Sequence, residues 1–157
     1  MTVVVRTKEK QSKYDELIES VVKKLKDLIQ EKLATGADAI IQKVIEGEEE
    51  MGESRSVCWI VPGPDTIEHS GMRNLAHNFT IYIVYLSNEV QSKNTMRTLR
   101  NIAGHGYDVI MEDITLNGLV EKIIPRVVFP GFMKFGDTIY VGVLQTWVAL
   151  VREGFEV

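Results

Sequence analysis

The chain has little of what marks secreted or membrane proteins. Its 157 residues include one cysteine, Cys58, which cannot form an internal disulfide, so we expect a reducing compartment or cytosolic assembly. The N-terminus has no apolar core of signal-peptide length, and no run approaches the roughly 20 apolar residues of a membrane span. The net charge of -4 disfavours broad binding to nucleic-acid backbones. These absences predict a soluble protein without a membrane partner.

Motifs that would indicate catalysis are absent as well. Neither phosphate-binding glycine pattern, G-x-x-x-x-G-K-[ST] or G-x-G-x-x-G, occurs, and the histidines at positions 69, 77 and 105 have no partners at zinc-ligand spacing. We therefore predict a protein that is not an enzyme, with no catalytic residue, cofactor or metal site. The alternative is a small-molecule-binding or enzymatic α+β domain with a site near Gly104 to Asp108, where the glycines admit a ligand and Asp108 orients His105 as a base.

The most informative segment that is present is a strand pattern over residues 139–151. Side chains alternate along a strand, and here both faces are apolar, so we expect cover on both sides of the sheet. One face carries Ile139, Val141, Val143, Trp147, Ala149 and Val151, and the other carries Tyr140, Leu144, Val148 and Leu150. Because only two helices are predicted, we expect another subunit to cover Leu144, Val148 and Leu150.

The remaining patterns complete an α+β domain in the order α-β-β-β-α-β-β. We predict a flexible N-terminal arm over residues 1–12 and a single domain over residues 13–157. An amphipathic helix is predicted from Tyr14 to Leu33, with Ser12 as its N-cap and Gly36 as its stop, and a second helix is predicted from Asn94 to Met111. The other predicted strands are 39–45, 56–61, 74–86 and 119–129. The sheet is expected to be mostly antiparallel, with both helices packed on one face.

Two charged regions complete the pattern. The run over residues 46–53 contains Glu48, Glu49 and Glu50 and is typical of a solvated loop. A divalent-cation site is the alternative interpretation, although the spacing does not match an EF-hand. Arg97 and Arg100 are predicted to face outward from the second helix. They form either a solvated helix face or a contact with an acidic partner surface, such as the acidic run of a neighbouring subunit.

The order of elements resembles a viral family. A long N-terminal helix is followed by a strand hairpin with an acidic tip, and a strand and helix lead to Asp113-Ile114-Thr115-Leu116-Asn117-Gly118-Leu119-Val120. This segment is similar to the D-x-x-L-x-G-x-V connection of tail-terminator, or tail-completion (minor tail), proteins. Those proteins occur in long-tailed bacterial and archaeal viruses and their proviruses. The resemblance covers most of the chain as an order of elements.

The resemblance implies a structural virion protein that is not an enzyme. Members form a ring, typically a hexamer, that ends the tail tube and joins it to the head or neck. The implied partners are other copies of the chain, the tail tube protein and a head-tail connector or neck protein, with DNA as passing cargo. The location implied is the virion tail, assembled in the host cytoplasm. The loop of Glu48, Glu49 and Glu50 would then line the channel or meet the tube.

Overall fold

The computed structural model describes residues 2–35, 41–46, 56–69, 75–88, 93–135 and 138–152. These residues form two helices and five strands in the predicted order. The elements are α1 (Thr2–Leu33), β1 (Lys43–Glu46), β2 (Ser56–His69), β3 (Leu75–Ser87), α2 (Lys93–Met111), β4 (Lys122–Phe135) and β5 (Thr138–Arg152). The strands form one sheet in the order β1-β2-β3-β5-β4. The predicted α+β class and element order are confirmed.

The main core lies between the sheet and the two helices, which pack on the same face. Strand β5 supplies Val141, Val143, Trp147, Ala149 and Val151 to this core, and all five are buried. Helix α1 contributes a buried stripe at helical spacing, formed by Leu17, Ile18, Val21, Val22, Leu25, Ile29 and Leu33. The two-faced alternation predicted for β5 is confirmed for these five residues, whereas Ile139, predicted on the same face, is 51% exposed at the start of the strand.

Helix α1 begins earlier than its capping pattern predicts. The structure continues the helix through residues 2–12, which the sequence assigned to a flexible arm, so the predicted start at Tyr14 was wrong. Ser12, the predicted N-cap, lies within the helix. No glycine or proline interrupts residues 2–33, and good helix formers such as Lys8, Glu9 and Lys10 continue it. The helix ends at Leu33 as predicted, and Gly36 lies outside the described residues.

Strand β1 pairs with β2 in parallel, so the expected hairpin between them was wrong. Lys43 lies opposite Val57 and Glu46 lies opposite Ile60. The strands start side by side because three hydrogen bonds join Gln42 and Ser56. The backbone N–H of Gln42 donates to Ser56 Oγ at 3.1 Å and to the backbone oxygen of Ser56 at 3.2 Å, and the backbone N–H of Ser56 donates to Gln42 Oε1 at 3.4 Å. Strand β1 is also shorter than the predicted 39–45, of which residues 39 and 40 lie outside the described residues.

Strands β2 and β4 continue past prolines and beyond their predicted ends at residues 61 and 129. β2 continues beyond Pro62 and Pro64 through a register shift between Pro62 and Asp65, and β4 continues beyond Pro130. A second register shift lies between Pro125 and Val127. Proline is tolerated at bulges and edges, where its missing N–H breaks no internal ladder. β4 is an edge strand. Beyond Ile60, where its pairing with β1 ends, β2 is also an edge strand among the described residues.

Helix α2 is continuous from Lys93 to Met111, so neither glycine within it ends the helix. Gly106 lies against the ring of Tyr85, and a Cβ at Gly106 would overlap Tyr85 Oη. The hydroxyl of Tyr85 is buried and has no hydrogen-bond partner among the described residues. Burial, together with the nearby Cys58, raises the pKa of this phenol. The close approach of helix and sheet therefore depends on the missing side chain at Gly106.

The turn after α2 is organised by Asp113. Its carboxylate accepts hydrogen bonds from the hydroxyl of Thr115 (2.7 Å), the backbone N–H of Thr115 (3.1 Å) and the backbone N–H of Asn117 (2.7 Å). Leu116, Asn117 and Gly118 all have positive φ, at 50°, 60° and 81°. Asparagine and glycine are the residues that tolerate positive φ best, which suits Asn117 and Gly118 to this turn. Leu116 adopts this unfavourable conformation while its side chain is buried in the main core.

We expect Asp113→Asn to lower stability at pH 7 and to have less effect in acid. The hydroxyl of Thr115, followed by the backbone N–H groups of Asn117 and Thr115, lowers the pKa of Asp113 below its usual 3.8. The carboxylate therefore stabilises the fold above the unfolded pKa, and this contribution is lost as the pH falls through the folded pKa. Urea midpoints at pH 7 and pH 3 measure the effect. Asp108→Asn, on the exposed surface of α2, is the control, and an equal loss in both variants would contradict the prediction.

Candidate subunit interface

The sheet face opposite the helices carries an apolar groove, the helix-free groove. Its volume is about 400 Å³, and it crosses the sheet from β2 to β4. The groove is lined by Trp59, Val61, Tyr82, Val84, Phe129, Pro130, Gly131, Phe132, Gly142 and Leu144. A small buried cluster on this face contains Ile45, Val57, Val84, Leu86 and Tyr140. The volume lies within the range of ligand pockets, but the groove is a trough along a sheet surface.

Three predicted interface residues lie on this face. Leu144 lines the groove, whereas Val148 and Leu150 are half-buried farther along β5 and do not line it. Their orientation follows from the alternation of β5, which sends Trp147 and Ala149 into the main core on the other face. Both helices pack on that core side, so among the described elements none covers Leu144. The sequence therefore identified the open face correctly, while the subunit contact itself remains a prediction.

An exposed apolar strip on β4, the β4 edge, borders the groove, and its two phenylalanines also line the groove. It consists of Val127, Val128, Phe129 and Phe132, which are 42%, 56%, 59% and 69% exposed. Edge strands are usually protected by charges, and this stretch of β4 has none between Arg126 and Lys134. Sequence reasoning missed this surface because it ended the strand at Phe129 and started a loop at Pro130. The uncharged run over residues 127–133 was the available signal.

A second pocket, the wedge pocket, lies between α2 and the strands β4 and β5. Its volume is about 390 Å³, and its lining residues are Arg100, Ala103, Gly104, Tyr107, Val128, Pro130, Val143 and Gln145. At its base Gln145 is buried, and each polar atom of its side chain has a hydrogen-bond partner. Its Nε2 donates to the backbone oxygen of Ala103 at 2.8 Å, and its Oε1 accepts from Trp147 Nε1 at 3.2 Å. The ring of Tyr107 lies 5.6 Å from that of Trp147. The two pockets meet at Pro130.

The lining of the wedge pocket can be compared with the alternative site predicted near Gly104 to Asp108. Gly104 and Tyr107 line it, as a site there would require. His105 and Asp108, the predicted base and its orienting partner, are exposed on α2 and are not among the lining residues. The structure therefore has a pocket at this part of the chain, but the two side chains proposed for the chemistry, His105 and Asp108, do not line it. Arg100 lines the pocket, and Arg97 is exposed one turn earlier on the same helix.

The acidic run lies largely outside the described residues, including Glu48, Glu49 and Glu50. Within the described ranges, no three His, Cys, Asp or Glu side chains come together as a metal site would need. Cys58 is buried, and burial raises the pKa of its thiol, which disfavours the reactive thiolate. No helix in the described part of the chain combines the length and apolarity needed to cross a membrane.

No protein-family model matches the sequence, and no curated protein sequence is similar to it. The functional interpretation therefore depends on the two pockets and the β4 edge.

Proposed function

We propose that the protein is a structural subunit that assembles into a closed ring of identical copies, at the end of a viral tail tube. The observation that carries the proposal is the continuous apolar surface formed by the helix-free groove and the β4 edge. Four large apolar side chains on one edge strand, each more than two-fifths exposed, are unusual for a monomer. Covering them with a second copy removes this apolar area from water, which is the main driving force of protein association.

The two sides of the sheet differ, which favours a head-to-tail contact. The β4 side is long and apolar, whereas the β1 side is a four-residue strand followed along the chain by acidic residues. Surfaces that differ in this way complement each other better than they complement themselves. Head-to-tail contacts form rings when the rotation between copies closes. A hexamer is the ring size that the resemblance to tail-terminator proteins implies.

The chemistry of the pockets favours a structural role over catalysis. Among the ten residues that line the helix-free groove, Tyr82 alone has a titratable side chain. The wedge pocket adds Arg100 and Tyr107, and neither lining set contains the pairing of a nucleophile with a base that covalent catalysis requires. An assembly surface needs apolar area and shape instead, and both are present.

The place of the ring follows from the resemblance. The ring would end the tail tube, contact the tube protein on one side and a head-tail connector or neck protein on the other, and let DNA pass. The protein would then be part of the virion and would assemble in the host cytoplasm. The acidic residues Glu48, Glu49 and Glu50 would face the channel or the tube, where like charge keeps DNA from adhering.

We expect the double variant Phe129→Ser and Phe132→Ser to abolish assembly without unfolding the subunit. Both side chains are more than half exposed, so their loss costs an isolated subunit little. Sedimentation velocity is expected to show a multiple of 17.8 kDa for the native protein and 17.8 kDa for the variant, with the same circular dichroism spectrum. The control is Met111→Ser with Ile114→Ser, which removes two exposed apolar groups outside both pockets. A native protein that is monomeric at every concentration would refute the ring.

The same variant tests the viral role. Virus particles produced with the Phe129→Ser and Phe132→Ser chain are expected to have tails of uncontrolled length and few joined heads in electron micrographs. The control variant is expected to give tails of native length. A ring that forms in solution while tail length and head joining are unaffected by its loss would support assembly and reject the tail function.

A further inference from the structure

We infer that the wedge pocket binds a small carboxylate with an unbranched apolar body. The carboxylate lies at the Arg100 end of the pocket, where it accepts hydrogen bonds from the guanidinium and from the side-chain amide of Gln145. The apolar body lies along α2 toward Tyr107. This site goes beyond the proposed ring and does not depend on it, because all of the lining residues belong to one copy of the chain.

The charge of the pocket favours an anionic ligand. Arg100 is the one residue of fixed charge in the lining, and none of the lining residues is acidic. The residues one turn away from Arg100 on α2 are Met96, Arg97, Ala103 and Gly104, so no carboxylate on a neighbouring turn of this helix neutralises it. Arginine binds a carboxylate through two parallel hydrogen bonds, and a ligand with one negative charge balances the single charge of the lining.

The buried amide of Gln145 supplies a second donor. Trp147 Nε1 can only donate and the backbone oxygen of Ala103 can only accept, so these two contacts establish which side-chain atom of Gln145 is Oε1 and which is Nε2. Nε2 carries two hydrogens, and the bond to Ala103 uses one of them. Among the described residues no acceptor serves the second hydrogen, although Gln145 is only 4% exposed. A buried donor without an acceptor is unfavourable, so a ligand oxygen beside it stabilises the complex.

Arg100 and Gln145 serve the same end of the pocket. Ala103, whose backbone oxygen holds the Gln145 amide, follows Arg100 by three residues on α2. Residues at this spacing lie on the same face of a helix, about 5–6 Å apart at Cβ. The long side chain of Arg100 and the amide of Gln145 can therefore reach the two oxygens of one carboxylate.

The rest of the pocket is apolar and elongated. Its walls come from α2 on one side and from β4 and β5 on the other, namely Ala103, Gly104, Val128, Pro130 and Val143. A Cβ built at Gly104 meets no atom within 4 Å, so the helical wall leaves space at this position. Seven residues separate Arg100 from Tyr107, which corresponds to about 10 Å along the helix axis. An unbranched alkyl chain fits along a slot of this kind and is removed from water there.

Calorimetric titration of the native protein with octanoate tests the site. We expect saturable binding of one octanoate per chain, and about tenfold weaker binding of 1-octanol, which has the same body without the charge. Arg100→Gln is expected to weaken octanoate binding by about tenfold as well. Arg97→Gln is the matched control, because Arg97 is exposed one turn earlier on α2 and does not line the pocket, and we expect less than about a twofold change.

Three further measurements locate the bound octanoate. Gly104→Leu adds a side chain to the pocket wall and is expected to abolish binding, with an unchanged circular dichroism spectrum. The double variant Phe129→Ser and Phe132→Ser alters the lining of the helix-free groove and is expected to keep the native affinity. In nitrogen-15 NMR spectra the side-chain amide signals of Gln145 are expected to shift as octanoate binds.

Several results would overturn the inference. These are the absence of saturable octanoate binding, equal affinity for octanoate and 1-octanol, and octanoate binding that Arg100→Gln or Gly104→Leu leaves unchanged. Octanoate that binds without shifting the Gln145 amide signals, or that is lost from the Phe129→Ser and Phe132→Ser variant, would also overturn it. The ring is judged separately by sedimentation, so a monomeric native protein that binds octanoate as expected would reject the proposed function and retain this site.

Discussion

Replacing Trp147 with alanine is expected to lower the free energy of unfolding by about 3–5 kcal/mol. The indole is completely buried in the main core, where its removal leaves a large cavity. The variant also loses the tilted ring contact between Trp147 and Tyr107 and removes the donor that serves the buried Oε1 of Gln145. Because domains are typically stable by only about 5–15 kcal/mol, this one substitution removes a large share of the total.

Urea unfolding followed by circular dichroism measures the effect of Trp147→Ala. Val148→Ala is the matched control, since the adjacent residue points to the open face and is only half-buried, so we expect a loss of about 1 kcal/mol or less. Trp147→Phe retains an aromatic ring but loses the N–H donor, and we expect an intermediate loss of about 1–3 kcal/mol. Equal losses in the alanine variants of Trp147 and Val148 would contradict the assignment of the two faces.

The second large effect is expected at Gly106. A Cβ there would overlap Tyr85 Oη and lie 2.8 Å from Cζ, so the helix or the ring must move. We expect Gly106→Ala to cost about 1–3 kcal/mol despite the better helix propensity of alanine. Gly104→Ala, two residues earlier in the same helix, meets open space and is expected to stabilise by about 0.5–1 kcal/mol. Thermal denaturation is expected to show a lower midpoint for Gly106→Ala and a higher midpoint for Gly104→Ala than for the native protein.

Tyr85→Phe identifies the cause of the Gly106 effect. The hydroxyl of Tyr85 has no described hydrogen-bond partner, so its removal alone is expected to be neutral or slightly stabilising. In the Gly106→Ala background the same change removes the closest contact and is expected to recover part of the loss. The remaining 2.8 Å approach to Cζ prevents full recovery. If Tyr85→Phe has the same effect in both backgrounds, steric overlap is not the cause.

The fold was predictable wherever local pattern and burial agree. The period-two pattern of β5 identified both of its faces, and the helical stripe of α1 identified the buried residues of that helix. The ends of helices and strands were less predictable, because the effect of a proline depends on the structure around it. Pro62 and Pro64 indicate a turn in isolation, but a register shift accommodates them within a strand. The direction of β1 depends on the contact between Gln42 and Ser56, which are fourteen residues apart and invisible to any local pattern.

The candidate interface was only partly predictable for the same reason. Leu144 was identified from the alternation of β5, whereas Phe132 was assigned to a loop and overlooked. The wedge pocket depends on the distance between a helix and an edge strand, which no sequence period encodes. Arg100 was identified by its charge alone, and its position at the mouth of an apolar pocket appears only when α2 and β4 are placed together.

The placement of the four prolines bears on how this protein avoids uncontrolled polymerisation. All four lie on the outer stretches of the sheet, at positions 62 and 64 in β2 and at positions 125 and 130 in β4. Cross-β fibrils grow when an uninterrupted row of backbone donors and acceptors recruits the next chain. Each proline lacks a backbone donor and therefore interrupts such a row, in β2 on one side of the sheet and in β4 on the other. The β4 side chains are nevertheless apolar enough to attract another copy. The surface can thus bind a partner of complementary shape and still be a poor template for fibril growth.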